Sequence, residues 1–478
     1  MKLHRFLALL PLAALWANPL QAENNVPPKG FTALFDGKTL SGWYGWGTQD
    51  PTDLWNMSPE EQAAYKKKSI EGGLTDKKGK PIEDHINAHW RVENGELVND
   101  GHGLYLTSGK DYGDFELMLE YKALPDGDSG VYLRGVPQVQ IWDSTKGDPR
   151  GLGQDKGSGG LWNNSKGAPG KDPSKKMDKP FGEWNTMKIR MIGERVTVVF
   201  NGETVVDNCV LENYFANRKA GYSAFGKQPA KEVKAGEKEP NGFMRDPVFP
   251  KGPIQLQTHG SEIRWRNLYI REISPEEADK ELRSRDKDGF VELVNGKDLS
   301  NWQNAVDSYE MKDGAIVCKK GKGGDLQSKE EYEDCIIKVE FKLPHAGNNG
   351  IALRNPLGGH SASDGFEIQV LDSDGYNADH KDHPLLPYQY HGSLYHCVGA
   401  KHGYLRSVGT WNYEEIEVRG QKIKVTLNGT KILDVDCDTF DRSQIAHPPK
   451  GLDHRKGYIG FAGHTDPVEF RSFKVKRL

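Results

Sequence analysis

The chain lacks several of the features that most quickly classify a protein. Its 478 residues contain only five cysteines: Cys209, Cys318, Cys335, Cys397 and Cys437. An odd number, with one in the first half and four in the second, is not a disulfide framework, although a pair within the second half stays possible. No C-x-x-C spacing occurs, which argues against structural zinc. Charge of one sign is also missing. The formal net charge is −4 and no long basic run is present, so a phosphate-tracking nucleic-acid face is excluded. Beyond residue 22 no stretch approaches the length of apolar run needed to span a bilayer.

The N-terminus carries one apolar run, Phe6 to Ala17, behind Lys2 and Arg5 and ahead of Leu20-Gln21-Ala22. A basic start, a short apolar segment and a small residue at the cut predict a signal peptide over 1–22, hence export to the periplasm or the medium. No cysteine follows the run, so a lipoprotein anchor is not expected. Glycine (55), proline (26), tryptophan (11) and tyrosine (18) are plentiful. Many turns with many aromatics suit a β-rich fold whose loops stack on sugar rings.

An internal repeat sets the architecture. Phe31 to Trp43 recurs as Phe290 to Trp302, and Gly182-Glu-Trp-Asn185 as Gly409-Thr-Trp-Asn412. An Asn-Gly turn follows each second Trp by 17 residues, at Asn201-Gly202 and Asn428-Gly429. Ser129-Gly-Val-Tyr-Leu-Arg134 matches Asn349-Gly-Ile-Ala-Leu-Arg354, and Gln138 to Asp143 matches Glu367 to Asp372. The 15 residues from His259 to Ile273 align without gaps on His464 to Leu478. Six anchors in one order indicate duplication. Ser274-Pro-Glu-Glu277 reads as a helix N-cap, which predicts a linker helix over 274–288 between domains at 28–273 and 289–478. Period-two segments such as Asp114 to Tyr121 and Cys335 to Phe341, with Asn-Gly hairpin turns, predict antiparallel sandwiches. A helix capped by Ser58 is expected in an insertion over 44–89 that the second copy lacks.

Alternation along Glu367-Ile-Gln-Val-Leu-Asp372 places Glu367 and Gln369 on one face, suited to a ligand. The first copy repeats this with Gln138 and Gln140, where a glutamine replaces the carboxylate. Asp143 and Asp372 have the opposite parity unless a bulge re-aims them. Arg134 and Arg354 close the neighbouring strands. His259 and His464 recur near the last strand of each copy, and imidazole suits proton transfer near neutrality. Ten of the fifteen histidines lie in the second half, and His380, His383, His391 and His396 crowd its loop 373–408 with Tyr388, Tyr390, Tyr395 and Tyr404. A divalent-metal site, for a transition metal or calcium, with Asp372, Asp374 and Asp379 is a second reading of that loop, without ligand spacing of a recognised type. The corresponding first-copy segment, Gly157 to Asn164, is glycine-rich, expected to be flexible, and carries Trp162. A wetted sheet face without function would show the same polar residues, so a plain sandwich remains the rival reading.

Taken together, these motifs resemble the 3-keto-disaccharide hydrolase family over essentially the whole chain after residue 22. The resemblance rests on Leu34-Phe-Asp-Gly-Lys38 with Trp43, Asp114-Phe-Glu-Leu117, Ser129 to Gly135, Gln138 to Asp143, Gly182 to Asn185 and Gln255-Leu-Gln-Thr-His259. It implies an all-β chain of two tandem concanavalin A-like jelly-roll sandwiches. It also implies a carbohydrate substrate, cleaved at glycosides already oxidised at C3. A ketone there acidifies the C2 hydrogen, so a base can remove it, the C1 substituent leaves, and water adds back. On this reading His259 or His464 is the base, Arg134 or Arg354 holds the enolate oxygen, and Glu367 or an aspartate is the acid. Gln138, Gln140, Asp143, Trp162, Gln255 and Gln257 in the first copy, and Gln369, Asp372, His391 and Tyr395 in the second, would bind sugar. The second copy departs from the pattern at Gly460-Phe-Ala462-Gly463, so the first copy is expected to carry the main activity. A non-catalytic lectin-like module and an ordinary glycoside hydrolase or lyase are the alternatives.

Overall fold

The structure, a computed structural model, describes residues 24–478 except 77, 220, 221, 224, 225, 228–244 and 446. The segment read as an export signal lies outside the described residues. Thr32 to Glu272 build one pair of sheets and Val291 to Arg477 another. In the first pair the larger sheet runs Glu203–Val210, Arg195–Phe200, Asn185–Ile192, Phe115–Ala123, Ile263–Glu272, Glu96–Asn99, Trp90–Glu93, with Thr32–Ala33 also on Ile263–Glu272. The smaller sheet runs Val136–Trp142, Asp128–Leu133, Gln255–Leu256, Tyr105–Ser108, Trp43–Trp46. Strand for strand, the second pair repeats this order. Its larger sheet runs Thr430–Asp436, Lys422–Leu427, Trp411–Arg419, Cys335–Lys342, Glu469–Arg477, Ala315–Cys318, Tyr309–Lys312, and its smaller one Phe366–Leu371, Asn348–Asn355, Gly457–Gly463, Gly324–Tyr332, Trp302–Gln303. The pairings are antiparallel, so the chain is two tandem antiparallel sandwiches.

Each sandwich is held by the inward parity of its strands. In the first, Leu117, Leu119, Val131, Val139, Ile141, Ile189, Val198, Leu256 and Trp265 form one buried cluster. In the second, Ile337, Val339, Phe341, Ile351, Ile368, Val370, Ile416, Val425, Phe461 and Phe470 do the same. Burying each such side chain stabilises the fold by roughly 1.5–3 kcal/mol. The opposite parity of each smaller sheet is therefore the polar face on which chemistry can sit.

The helix capped by Ser58 spans Pro59–Glu71, with a capping box to Glu61. It lies against the edge strand Trp43–Trp46, where Tyr65 meets Trp46 edge-on at 5.0 Å and Lys66 sits 4.7 Å over the Tyr44 ring. The insertion thus thickens one edge of the smaller sheet. Between the sandwiches, the helix capped by Ser274 spans Pro275–Ser284, shorter than the expected stretch to 288. Its Ala278 and Leu282 join Ile192, Ile273 and Tyr413 in an apolar cluster shared by both halves. Ion pairs surround that cluster: Arg190 to Glu281 at 2.6 Å, Arg283 to Glu340 at 2.8 Å and Arg406 to the buried Asp279 at 2.8 Å.

Candidate active site

The polar face of the first smaller sheet carries a continuous row of amides. Gln138 and Gln140 come from the edge strand Val136–Trp142, Gln255 from the central strand and Gln257 from just beyond its end. All four are at least nine-tenths buried. Each amide nitrogen has a partner: Gln138 Nε2 donates to Gln140 Oε1, Gln140 Nε2 to Asp128 Oδ1 (2.9 Å), Gln255 Nε2 to Thr107 Oγ1 (3.1 Å) and Gln257 Nε2 to the Tyr105 hydroxyl (3.2 Å). Three of the amide oxygens, Gln138, Gln255 and Gln257 Oε1, accept nothing from the described residues. A buried acceptor left without a donor costs about 1–3 kcal/mol, so three on one face call for a donor-rich ligand. Tyr105 and Tyr132 pack at 5.3 Å between ring centroids on the same face, and Thr48 from the insertion reaches the Tyr105 hydroxyl at 2.5 Å.

The row ends on an acid–histidine pair. Asp128 opens the strand Asp128–Leu133, where its parity matches Gly130 and Tyr132. One of its oxygens takes the Gln140 amide; the other lies 3.0 Å from His259 Nδ1. The His259 ring is half exposed, and among the described residues no hydrogen bond is made by its Nε2. The Asp128 hydrogen bond, outweighing partial burial, raises the His259 pKa above the ordinary imidazole value. This is the arrangement that makes an imidazole a base: a carboxylate fixes the Nδ1–H tautomer and leaves the Nε2 lone pair open. The Arg150 guanidinium stands 3.9 Å from Asp128 and is half exposed, which puts a cation beside the pair.

Several expectations are corrected. Arg134 is not on this face. It takes up the left-handed conformation at φ +53°, before Gly135, in the reversal between two strands, and its side chain turns away from the sheet. There it donates to the Gly113 and Phe249 carbonyls and pairs with Asp114 at 2.9 Å. Arg354, at φ +50°, does the same with Gln421, the His454 carbonyl (3.1 Å) and the Gly420 carbonyl. Both arginines lock turns rather than face a ligand. Asp143 accepts from Thr145 and Asp126 backbone amides, and Asp372 caps the helix Ser373–Asp379 and accepts from Ala346, so both are structural caps. His391 is buried beneath the sheet against Glu414 at 2.9 Å, inside the core and away from the polar face. The glycine-rich segment is pinned, not loose: Gly159 donates to the Gln140 carbonyl and Gln140 to that of Gly160. Trp162 follows, edge-on to Trp142 at the end of the amide-bearing strand. Tyr395 holds the same place in the second copy, donating its backbone amide to the Glu367 carbonyl at 2.9 Å and packing on His396.

The second copy keeps Glu367 and Gln369 on the polar face but rebuilds the rest. Asp128 is replaced by Asn348, which receives Gln369 Nε2 at 3.4 Å. Among the described residues no carboxylate hydrogen-bonds the ring of His464. Gln255, Gln257 and Tyr132 give way to Gly460, Ala462 and Ala352. No group of three or more His, Cys, Asp or Glu side chains converges at metal-binding distance among the described residues.

Asp128 and Arg150 are site residues that the motifs alone do not single out. Strand parity could have found Asp128, because it places that residue with Gly130 on the face of Gln138 and Gln140. Arg150 sits in a connection after the sheet, where no periodic signal marks it.

The chain matches the model of the "3-keto-alpha-glucoside-1,2-lyase-like domain" twice, over residues 30–271 and 289–476. A curated relative, the 3-keto-disaccharide hydrolase of Bacteroides thetaiotaomicron, is 24% identical over 252 residues, covering 44% of this chain and 86% of its own. Two crystal structures of candidate glycosyl hydrolases from Parabacteroides distasonis align with 24% and 26% identity. They cover 43% and 40% of this chain and 98% and 99% of theirs, at TM-scores of 0.36 and 0.34. With both family matches together spanning most of its length, the chain belongs to the family of 3-keto-alpha-glucoside-1,2-lyase-like domains and carries that domain twice.

Proposed function

We propose that the chain is an exported enzyme whose first copy cleaves glycosides oxidised at C3. The observation that carries this reading is the relay Gln138–Gln140–Asp128–His259, which ends on an open imidazole nitrogen beside three unpaired amide oxygens. His259 Nε2 takes the C2 proton that the neighbouring ketone has acidified. The electron pair moves into the enolate, whose oxygen Arg150 neutralises. Collapse of the enolate breaks the C1–O bond; the departing alcohol takes a proton and leaves an enone. Water then adds at C1 and a proton returns to C2, giving net hydrolysis. Gln138, Gln255 and Gln257 accept from sugar hydroxyls and so hold the ring still against the base. A conventional glycosidase needs two carboxyl groups flanking the bond, and among the described residues the amide row of the first copy ends on a single carboxylate, Asp128, already bonded to His259.

The test is turnover of a 3-keto-glucoside and of its unoxidised parent. The native chain should cleave only the first, and His259→Ala should lower its rate about 10²–10⁴-fold. Should His464→Ala prove the more damaging change, the active copy is the second. Should neither matter while sugar still binds, the lectin-like reading replaces this one.

A further inference from the structure

The two copies also differ away from the amide row, at one end of the sandwich between the sheets. Three correspondences align them there. Gly182 donates to the Ala123 carbonyl as Gly409 does to that of Leu343. Lys179 donates its backbone amide to Asn185 Oδ1 as Arg406 does to Asn412 Oδ1. Asn185 stands opposite Tyr121 in its ladder, and Asn412 opposite Phe341. Tyr121, Ala123 and Asp178 of the first copy therefore answer to Phe341, Leu343 and Leu405 of the second. There Phe341 and Leu343 belong to the apolar core and Leu405 packs against it. The first copy, with a smaller residue at 123 and polar groups at 121 and 178, instead holds a cavity of about 370 Å³, lined by Tyr121, Ala123, Trp142, Asp178, Pro180 and Phe181 among others.

The cavity has a closed floor and an open mouth. At the mouth Phe181 is 39% exposed, and Pro180 beside it is exposed as well. At the floor Tyr121 is 1% exposed and stacks on Phe200 with ring centroids 6.0 Å apart. Its hydroxyl makes no hydrogen bond among the described residues. Burial first, and Asp178 second, hold that hydroxyl protonated against a weaker opposite pull from Ser158, so it is free to donate. Asp178 accepts from the Ser158 amide at 3.0 Å and from the Ser158 hydroxyl at 2.5 Å. A carboxylate offers about four lone-pair sites, so acceptor capacity is left over. Lys176 and Lys179, which also line the cavity, donate to the Ser144 and Trp184 carbonyls at 2.6 and 2.8 Å rather than to Asp178. The cavity thus joins apolar walls to one donor and one acceptor at depth, which suits a flat apolar ligand with a single hydroxyl. A sugar ring fits poorly, because most of its hydroxyls would lose water against apolar wall and gain no partner.

We propose that the first copy holds, apart from its amide row, a binding site for a phenol. The ring lies among Ala123, Pro180 and Phe181, and its hydroxyl accepts from Tyr121 and donates to Asp178. The site goes beyond the cleavage reading above and needs neither His259 nor the ketone. Trp142, which lines it, stands opposite Asp128 in the ladder, so the cavity lies at the same end of the sandwich as the acid–histidine pair.

The experiment is equilibrium dialysis of the intact chain against 4-methylphenol and, separately, 4-methylanisole, in which a methyl group replaces the hydroxyl hydrogen. Native protein should bind the phenol, and the ether at least about fivefold more weakly, the worth of one hydrogen bond. Tyr121→Phe, which installs the second copy's residue, should weaken the phenol about fivefold and narrow its lead over the ether. Ala123→Leu, also the second copy's residue, should abolish binding by filling the cavity. Phe181→Ala removes a wall at the exposed mouth, where folding does not depend on it, and should weaken both ligands. Binding should persist in His259→Ala, and excess methyl α-glucoside should not displace the phenol. No binding to native protein, equal affinity for the two ligands, affinity unchanged in both Ala123→Leu and Phe181→Ala, or displacement by the glucoside each overturns the proposal. Cleavage of a 3-keto-glucoside is read separately, so its absence would sink the cleavage reading and leave this site standing.

Discussion

At the scale of single residues, the first copy's chemistry turns on which atom of His259 is free. Asp128 binds Nδ1, so the base is Nε2 and the carboxylate acts only through the ring. Asp128→Asn should therefore leave a functional but misoriented imidazole, with a loss of about 10²-fold or less, milder than removing the ring. The two variants also differ in pH dependence. A base works deprotonated, so kcat/KM for the 3-keto substrate should rise with pH through the His259 pKa. Asp128 holds that pKa above the ordinary imidazole value, and Asp128→Asn should move the rising limb to lower pH. A limb that stays in place would show that another group is the base. Removing a merely structural aspartate would change the rate without moving the limb.

At the scale of strands and turns, the sequence carries some of the site openly and hides the rest. Period-two parity puts Gln138, Gln140, Glu367 and Gln369 on the correct face, because a strand's side-chain alternation survives whatever packs on it. The same rule fails at Arg134 and Arg354, since a left-handed residue resets the parity and sequence gives no warning when that residue is not glycine. Asp143 and Asp372 invite a catalytic reading by type, yet both sit where a strand gives way to a helical turn and cap it. The repeated Ser-Gly and Asn-Gly of the buried strand acquire a physical meaning only in the sheet. A Cβ on Gly130 would fall 2.7 Å from Gln138 Oε1, and one on Gly350 2.4 Å from Glu367 Oε1. These glycines let the neighbouring strand's side chain lie across the sheet. Gly130→Ala should accordingly push Gln138 out of the amide row and raise KM for the 3-keto substrate several-fold, with little change in melting temperature because only a flexible side chain must give way. An unchanged KM would remove Gln138 from the binding surface.

Over the whole molecule, duplication is legible because six anchors keep their order, while the junction between the copies is not, since its contacts join residues with no sequence relation. Gly193 and Gly429 show how close that junction is: a Cβ on Gly193 would fall 2.3 Å from the Gly429 backbone. Next to it, Glu194 is buried with its backbone amide 3.3 Å from the Gly429 carbonyl, and burial lifts its pKa to about 7. Glu367 is lifted in the same direction, to about 8. Both side chains thus bind a proton more tightly folded than unfolded. Their contribution is complete below the unfolded carboxyl value, is lost as pH rises through the folded one, and changes no further above it. The slope for each group is at most about 1.4 kcal/mol per pH unit. Thermal melts of the native chain should therefore show stability declining from pH 5 to 8. Glu194→Gln should flatten the part below pH 7, and Glu367→Gln the decline that continues to pH 8. Because the groups sit in different places, their effects should add in the double variant. A native chain whose melting temperature rises over that interval would mean that neither carboxyl is held protonated.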